Sequence, residues 1–490
     1  MNCDGRSILL ITPIHSRHDR KAQSAMHKTL VLLTLSIAVA IASSPLLVFG
    51  QSNELTIDET RVAAAGIHKL QGKRLTLYTD LAGPEIDILP TVFEQAFPQW
   101  CAYFGVKESE HANWCATGFL MKDKAKFVDA GLLPDVLPDF ANGYSVGSTL
   151  WLYEQPSEYY RRHLLLHEGT HGFMFSILGS CGPPWYMEGM AEFMGTHRWH
   201  DGRLTLGYMP KNREEVPEWG RIRLIQDAVA KHKTLQLKEV VESPSTGHDD
   251  NESYAWRWAT VYFLDRHPHY QERFHQLREY VNRPDFNERF YELFEPDWQS
   301  LCEEWQLMAA NLEYGYDVAR SAIDFTPGKP FPQPLAGEGQ KAKSVTIAAD
   351  RGWQNTGLRL EAGTKYHITA SGRYQIAKES KNSSHIHNQG LPRPTNSNIS
   401  TDVDASSKIW WCEPGGVTIR YYQGLPLGIL LAAVRPDQPE PESTSALLHP
   451  TVIGLDATLT PKESGTLFLK VNDSAGELDD NAGELKVEIH

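Results

Sequence analysis

The chain changes its pattern of apolar residues at a proline- and glycine-rich segment, and this change limits its possible folds more than any other feature. Before that segment, apolar residues recur at helical spacing in residues 221–231, 254–264, 270–280 and 298–312. After it, short runs such as SVTIAA, GVTIRYY and GTLFLKV alternate with turn residues, as in an all-β sandwich. The 490 residues are also too many for one ordinary core. The sequence therefore predicts at least two folded parts, one rich in helices and one all-β.

The first 50 residues have the composition of a secretion signal. A basic residue, Lys28, precedes the apolar run LVLLTLSIAVAIA, and small residues follow the run. Met26 could be the true start, because a signal that begins there needs none of the polar stretch before it. The run is shorter than the ~20 residues that span a bilayer, which favours a cleaved signal over an uncleaved anchor. We therefore expect a secreted or periplasmic protein with no membrane span after signal removal.

The remainder divides where the composition changes. Residues 51–325 begin with a mixed pattern, in which a strand over residues 75–79 precedes a turn and an amphipathic helix, and continue as helices. Residues 326–344 are predicted to form a Pro/Gly-rich linker, and residues 345–490 a β-sandwich domain that folds independently. The expected fold class is α+β, with a mixed strand and helix part, a helical part and an all-β sandwich.

Charge and cysteine content exclude some functions. The net charge is −14, whereas nucleic acid binding needs a basic surface, so no nucleic acid partner is expected. No CxxC pair occurs, so a cysteine-based zinc or redox centre is not predicted. Export permits disulfides, and Cys101 and Cys115, which flank a helix end and a predicted strand, are expected to form one.

The segment LLLHEGTHGFMFSILGSCGPPWYMEGMAEFMG carries the strongest signal for chemistry. His167 and His171 are four residues apart, so on a helix both imidazoles project from one face and can share a metal ion. Catalytic zinc needs a third protein ligand and keeps one position for water. Glu188 is the candidate, because the intervening glycines and prolines let the chain reverse and bring a second helix to the first. The sequence thus predicts zinc held by His167, His171 and Glu188.

The motif HExxH followed by W-x-x-E-G-x-A-E resembles the gluzincins, the clan of zinc peptidases that contains thermolysin and the zinc aminopeptidases. The resemblance extends from the first predicted strand to the last predicted helix, but only the metal motifs are specific. It implies that Glu188 is the third ligand, that Glu168 is the general base and that Glu192 orients a histidine ligand. Gluzincins commonly stabilise the oxyanion with a Tyr or His from the helical part downstream. Tyr254, with His248 as the alternative, is the residue expected here.

Other residues near the motif are weaker candidates. His163 lies one turn before His167 on the same face and is expected to pack or to support a ligand. His197 and His200 follow the second helix, and the pattern favours either of them as a metal ligand less than it favours Glu188. Phe173, Phe175 and Ile177 are expected to lie in the core rather than in a substrate pocket.

A second metal ion is predicted for the all-β part. In the segment VNDSAGELDDNAGELKVEI, the side chains of Asp473, Asp480 and Asn481 could provide oxygen ligands for Ca²⁺, although an ordinary solvated hairpin is the alternative. The segment resembles the loop of calcium-dependent galactose-binding bacterial lectins, whose pattern is N-D-x-x-G-x-x-x-N-N-x-G. Asp480 replaces an asparagine of that pattern, and Glu477 stands where the lectins have a smaller ligand. The resemblance implies a β-sandwich and a galactose-type carbohydrate partner.

Together these observations predict a secreted zinc peptidase that cleaves peptides or proteins with zinc-activated water, with Glu168 as the general base. The rival interpretation is a non-catalytic secreted protein that binds carbohydrate or a cell surface, in which zinc is structural and the lectin-like part acts. The presence of Glu168 favours the enzyme, because a structural zinc site needs no general base.

Overall fold

The structure is a computed structural model that describes residues 55–244, 250–332, 342–379, 408–439 and 443–490. The chain divides into two units, Met1–Leu55 and Thr56–His490, and every element described below belongs to the second. The predicted secretion signal and His248 lie outside the described residues. Within the described ranges, no helix has the length and apolar character needed to cross a membrane.

The first part of the fold is built on a five-stranded sheet. Its strands are β1 (His68–Gln71), β2 (Leu75–Thr79), β3 (Ala116–Met121), β4 (Gly143–Val146) and β5 (Thr149–Tyr153). They lie in the order β1-β2-β3-β5-β4, so β4 forms one edge. β2, β3 and β5 run parallel, while β1 and β4 are antiparallel to their neighbours. The strand predicted over residues 75–79 is confirmed.

Helices cover this sheet and extend beyond it. Those before the short ribbon of β6 (His197–His200) and β7 (Arg203–Leu206) are α1 (Glu59–Ala64), α2 (Pro84–Asp87), α3 (Leu89–Phe104), α4 (Lys124–Asp129), α5 (Glu158–Phe173) and α6 (Pro184–Gly195). Those after the ribbon are α7 (Arg221–Ala230), α8 (Leu237–Val241), α9 (Asn251–Arg266), α10 (Gln271–Gln276), α11 (Phe286–Phe294), α12 (Trp298–Asn311) and α13 (Val318–Ser321). The predicted helices at residues 221–231, 254–264 and 298–312 are confirmed, whereas the one at residues 270–280 continues past α10 as a 3₁₀ turn.

One apolar core joins the sheet to the helices. Large aromatic side chains fill it, and Trp100, Trp185, Trp256 and Trp305 are fully buried. Helices α5 and α6 bury most of their side chains in this core, and α9 packs along α6. Because protein interiors are closely packed, these contacts restrain the positions of the three helices relative to one another.

The C-terminal part is all-β. Its strands are β8 (Lys329–Pro330), β9 (Lys343–Ala348), β10 (Gln354–Leu360), β11 (Tyr366–Ser371), β12 (Tyr374–Glu379), β13 (Lys408–Cys412), β14 (Val417–Tyr422), β15 (Leu425–Leu427), β16 (Leu430–Pro436), β17 (Thr451–Val452), β18 (Asp456–Leu459), β19 (Gly465–Val471) and β20 (Glu484–Ile489). A five-stranded sheet, β17-β16-β19-β10-β8, and a four-stranded sheet, β18-β11-β20-β9, share a second apolar core. The predicted α+β class with an all-β C-terminal part is confirmed.

The predicted linker and helix α12 both pack against the all-β part. Strand β8, which lies within the linker, pairs in parallel with β10, and Phe331 is buried in the second core. On α12, the carboxylate of Glu303 accepts hydrogen bonds from Arg435 (2.8 Å) and Ser445 (2.6 Å). Leu307 of the same helix shares a buried apolar cluster with side chains of the sandwich. The two parts thus meet in a buried interface, and the independent folding of residues 345–490 stays a prediction.

The cysteines of the described residues all carry free thiols. Cys101 is buried in the first core, where burial raises the pKa of its thiol to about 11. Cys115 lies 4.0 Å from the hydroxyl of Thr76 instead of contacting Cys101. The predicted disulfide is therefore wrong, because helix packing directs Cys101 into the core.

Candidate metal and catalytic site

Two helices bring the predicted zinc ligands together. Helix α5 carries His167 and His171 on one face, four residues apart. After α5, Gly179 and Gly182 adopt left-handed backbone angles (φ 85° and 74°), which reverse the chain. Helix α6 then begins with a proline in its first turn and carries Glu188 back to the two histidines.

The ligand atoms are spaced as a tetrahedral metal ion requires. Nε2 of His167 and Nε2 of His171 are 3.2 Å apart, and each lies 3.3 Å from Oε2 of Glu188. Two ligand atoms that each lie about 2.05 Å from a tetrahedral zinc ion are separated by about 3.3 Å. Imidazole and carboxylate are also ligand types that zinc prefers. The residues present at this site therefore fit zinc.

The three side chains also influence one another electrostatically. Burial lowers the pKa of His167, but the carboxylates of Glu188 and Glu192 outweigh this effect and raise it to about 9. Burial likewise opposes protonation of His171, yet the charge of Glu188 raises its pKa well above the ordinary value. For Glu188, burial raises the pKa, but the two histidines outweigh burial and lower it. Protons and a metal ion thus compete for this site, so metal binding should release protons.

Glu192 supports His167 from the side opposite the metal-binding atoms. Its Oε1 lies 3.4 Å from Nδ1 of His167, and Arg221 donates two hydrogen bonds of 2.9 Å to its carboxylate. Burial raises the pKa of Glu192, but Arg221 and His163 outweigh burial and hold it well below its ordinary value. An ionised carboxylate at Nδ1 selects the tautomer of His167 whose Nε2 is free to bind a metal. Sequence reasoning missed Arg221, because no local motif marks it.

The remaining histidines do not join the three ligands. His163 lies 3.5 Å from Glu192, and together with His167 they form a second convergent group, but the positive charge of Arg221 on Glu192 opposes a second cation there. His197 stacks on a buried tyrosine ring at 4.7 Å, and burial lowers its pKa to about 3. His200 is exposed and pairs with the neighbouring Asp201.

Glu168 lies on α5 beneath the edge strand β4. A Cβ atom at Gly143 would lie 2.5 Å from Oε1 of Glu168, so the strand passes close to the carboxylate, and a larger residue would require the Glu168 side chain to shift. The negative charge of Glu168 contributes to raising the pKa of His171, so the carboxylate lies within electrostatic range of this predicted metal ligand. Among the described residues β4 is an edge strand, so no further strand of the sheet pairs with its outer side.

Tyr254, in the first turn of α9, lies beside His167. The two rings are nearly perpendicular, with centroids 6.0 Å apart. The guanidinium carbon of Arg221 lies 5.6 Å from the centre of the Tyr254 ring. The arginine that holds Glu192 therefore also contacts the candidate oxyanion donor.

The expected core position of Phe175 is wrong. Its side chain is 56% exposed, in the π-helical turn Met174–Leu178 that follows α5, whereas Phe173 is fully buried. Residues two positions apart on a helix point in nearly opposite directions, so only one of these two phenylalanines can face the core.

The acidic loop of the all-β part, residues 473–481, is partly buried: Asp473 and Asn481 are buried, whereas Glu477 and Asp479 are exposed. The carboxylate of Asp473 accepts hydrogen bonds from the amide of Ser474 (2.8 Å) and the side-chain amide of Asn481 (2.7 Å). Oδ1 of Asp480 and Oδ1 of Asn481 are buried without a hydrogen-bond partner among the described residues. Burial raises the pKa of Asp473 to about 8 and that of Asp480 to about 6. Unpartnered oxygens in a concentration of negative charge fit a hard cation such as Ca²⁺.

Comparison with known proteins finds structural similarity only at a low level. No protein-family model matches the chain, and no curated protein matches it. Among solved structures, the N-terminal domain of EclA, described as a PllA-like lectin, matches with 20% sequence identity and a TM-score of 0.18. The match covers 30% of this chain and 93% of that one. At this TM-score the likeness carries no argument about function.

Proposed function

We propose that this protein is a secreted zinc-dependent peptidase of the gluzincin type, with His167, His171 and Glu188 as the zinc ligands. The observation that carries the proposal is the convergence of three ligand atoms, 3.2–3.3 Å apart, next to the carboxylate of Glu168. The edge strand β4 passes close to that carboxylate at Gly143. A metal site, a general base and a place for an extended peptide thus adjoin one another.

The edge strand offers a simple way to bind substrate. An extended peptide can add to β4 through backbone hydrogen bonds, which do not depend on the peptide's sequence. Gly143 brings this edge close to Glu168, so a peptide bound there would pass near the general base. We expect contacts with the side chains of the peptide to provide any cleavage preference.

The side chains of the site have complementary roles in hydrolysis. Zinc, when bound, polarises the scissile carbonyl and makes water more acidic. Glu168 accepts a proton from the attacking water and then donates it to the leaving amine. The hydroxyl of Tyr254 donates a hydrogen bond to the oxyanion that develops on the carbonyl oxygen. Glu192, held by Arg221, keeps His167 in the tautomer that can bind metal.

The rival function, a non-catalytic binding protein with a structural zinc site, fits the geometry less well. Structural zinc is enclosed by four protein ligands, whereas catalytic zinc has three and an open position. Only three ligand residues converge here among the described residues. The side chains of His171 and Glu188 also retain 13% and 12% of their solvent exposure, so water can reach the group.

The test is peptide hydrolysis by the zinc-loaded mature chain, residues 51–490, with and without a zinc chelator. We expect hydrolysis of a quenched peptide library, loss of activity with chelator and recovery with zinc. Glu168→Gln should keep the zinc but lose activity, because only the base changes. Glu158→Gln, at an exposed position on the same helix, is the matched control and should remain active. A zinc-loaded wild type that cleaves nothing, or an active Glu168→Gln, would contradict the proposal.

We also propose that the all-β part binds Ca²⁺ through Asp473, Asp480 and Asn481. The support is the pair of buried, unpartnered side-chain oxygens next to the buried carboxylate of Asp473. Backbone carbonyls or water would complete a shell of six to eight oxygens. The resemblance to galactose-binding lectins makes a galactose-type carbohydrate the ligand to test at this loop.

A further inference from the structure

The outer side of the acidic loop meets the helical part. The hydroxyl of Ser474 donates a 2.6 Å hydrogen bond to the carboxylate of Glu313, just after the end of α12. Tyr422 of the sandwich donates a second hydrogen bond, of 3.1 Å, to the same oxygen. The backbone amide of Asp317 donates a 3.0 Å hydrogen bond to the carbonyl of Ala475. Residues 313–317 therefore cover the loop with both side-chain and backbone contacts.

Gly476 marks the closest approach between the two parts. A Cβ atom at this position would lie 2.2 Å from the carbonyl oxygen of Tyr314, and one at Gly315 would lie 2.8 Å from the carbonyl oxygen of Gly476. Nothing larger than a hydrogen atom fits between these two backbones. At the far end of the loop, Lys211 and Asp479 form an ion pair of 2.8 Å at the half-exposed rim.

The residues that fit a cation lie directly behind this contact. Asp473 is only 5% exposed and Asn481 only 7% exposed, and the two are joined by a hydrogen bond. The negative charges of Glu477 and Asp480 act on Asp473 within the same loop. A bound cation would offset this repulsion and restrain the loop backbone in the shape that meets residues 313–317.

We infer that the loop of residues 473–481 is an intramolecular tie, in which a calcium ion stabilises the docking of the sandwich on residues 313–317. This inference rests on the calcium site proposed above and is separate from the zinc site. The helical part occupies the outer side of residues 474–476, which leaves no room there for a sugar. The loop thus stabilises the protein from within, and a galactose-type ligand cannot approach it over residues 474–476.

Hydrogen exchange on the full mature chain tests this inference. Calcium is removed, zinc is restored, and exchange is followed in peptides that cover residues 313–317, with and without added Ca²⁺. None of these residues is a proposed calcium ligand, so slower exchange there reports docking. If opening of the contact releases the ion, exchange should slow about 100-fold when calcium is present at about 100 times its Kd. Asp480→Ala should remove this calcium effect.

A pair of glycine variants separates docking from ion binding. Gly476→Ala places a Cβ atom against Tyr314 without changing a side-chain oxygen, so exchange at residues 313–317 should accelerate even with calcium. Gly415→Ala is the matched control in the sandwich, because its Cβ atom would make only an ordinary 3.6 Å contact with Leu455. The control should exchange like the wild type.

Three results would overturn the inference. They are calcium binding that leaves exchange at residues 313–317 unchanged, no calcium binding by titration calorimetry, and calcium-dependent galactose binding that Asp473→Ala abolishes. Zinc content and peptide hydrolysis are measured on the same samples. If those persist while the calcium result fails, only the role of the loop is refuted, and the peptidase proposal stands.

Discussion

Replacement of Arg221 by methionine tests whether the buried network behind His167 controls the metal site. Arg221 donates two charge-assisted hydrogen bonds of 2.9 Å to Glu192, and both side chains are almost completely buried. Removing one partner of a buried ion pair typically costs about 3–5 kcal/mol of folding stability. Without the guanidinium to oppose it, burial raises the pKa of Glu192. The carboxylate of Glu192 then supports Nδ1 of His167 less strongly. Loss of such support typically lowers metal affinity about 10- to 100-fold.

The pH dependence has a definite sign. In the wild type the pKa of Glu192 is held well below its ordinary value of 4.5, so its contribution to stability is present above pH 4.5 and is lost as pH falls through the lowered pKa. In Arg221→Met the pKa of Glu192 is higher. Zinc affinity should therefore begin to fall at a higher pH in the variant than in the wild type.

The assay combines urea unfolding with zinc affinity from competition against a chromophoric chelator. Arg161→Met is the matched control, because Arg161 pairs with Glu154, is also largely buried, and lies on the same helix as the histidine ligands. Both variants should lose stability, but only Arg221→Met should lose zinc affinity. Equal zinc affinities in the two variants would refute the role of Arg221 and reduce it to a structural ion pair.

Three further predictions concern the individual ligands and the oxyanion donor. His167→Ala or Glu188→Ala protein should contain little zinc by elemental analysis, and full retention by both would exclude this ligand set. Tyr254→Phe should lower kcat by about 10²–10³ with little change in KM or zinc content, whereas unchanged kcat would make Tyr254 a packing residue. Calcium should raise the Tm of the wild type but not of Asp473→Ala, and identical melting with and without calcium would exclude the calcium site.

The convergence of His167, His171 and Glu188 could be predicted from sequence because it depends on local geometry. Four residues make about one helical turn, so the spacing of His167 and His171 places both on one face wherever the helix lies in the fold. The glycines and prolines before Glu188 leave a chain reversal as the simplest path to a second helix. The structure places all three side chains within metal-binding distance of one another.

The acidic loop shows where local pattern was insufficient. The sequence identifies its oxygen-bearing residues but not their burial, because burial arises from contacts with distant residues, such as Ala349 beside Asn481 and residues 313–317 beside Ser474 and Ala475. A sequence pattern describes which groups a loop carries, whereas solvent access depends on what packs over it. For the same reason the sequence predicts only a linker over residues 326–344, although strand β8 within it pairs with the sandwich.

The sequence by itself determined the helix and strand pattern, the division into a helix-rich and an all-β part, and the candidate ligands, since each follows from the spacing of neighbouring residues. Only the tertiary structure decided that Arg221 supports Glu192, that Gly143 brings an edge strand close to Glu168, and that the helical part covers Gly476. These contacts join residues distant in sequence. Close packing of helices and sheets selects such contacts, and packing depends on the complete set of side chains in the core.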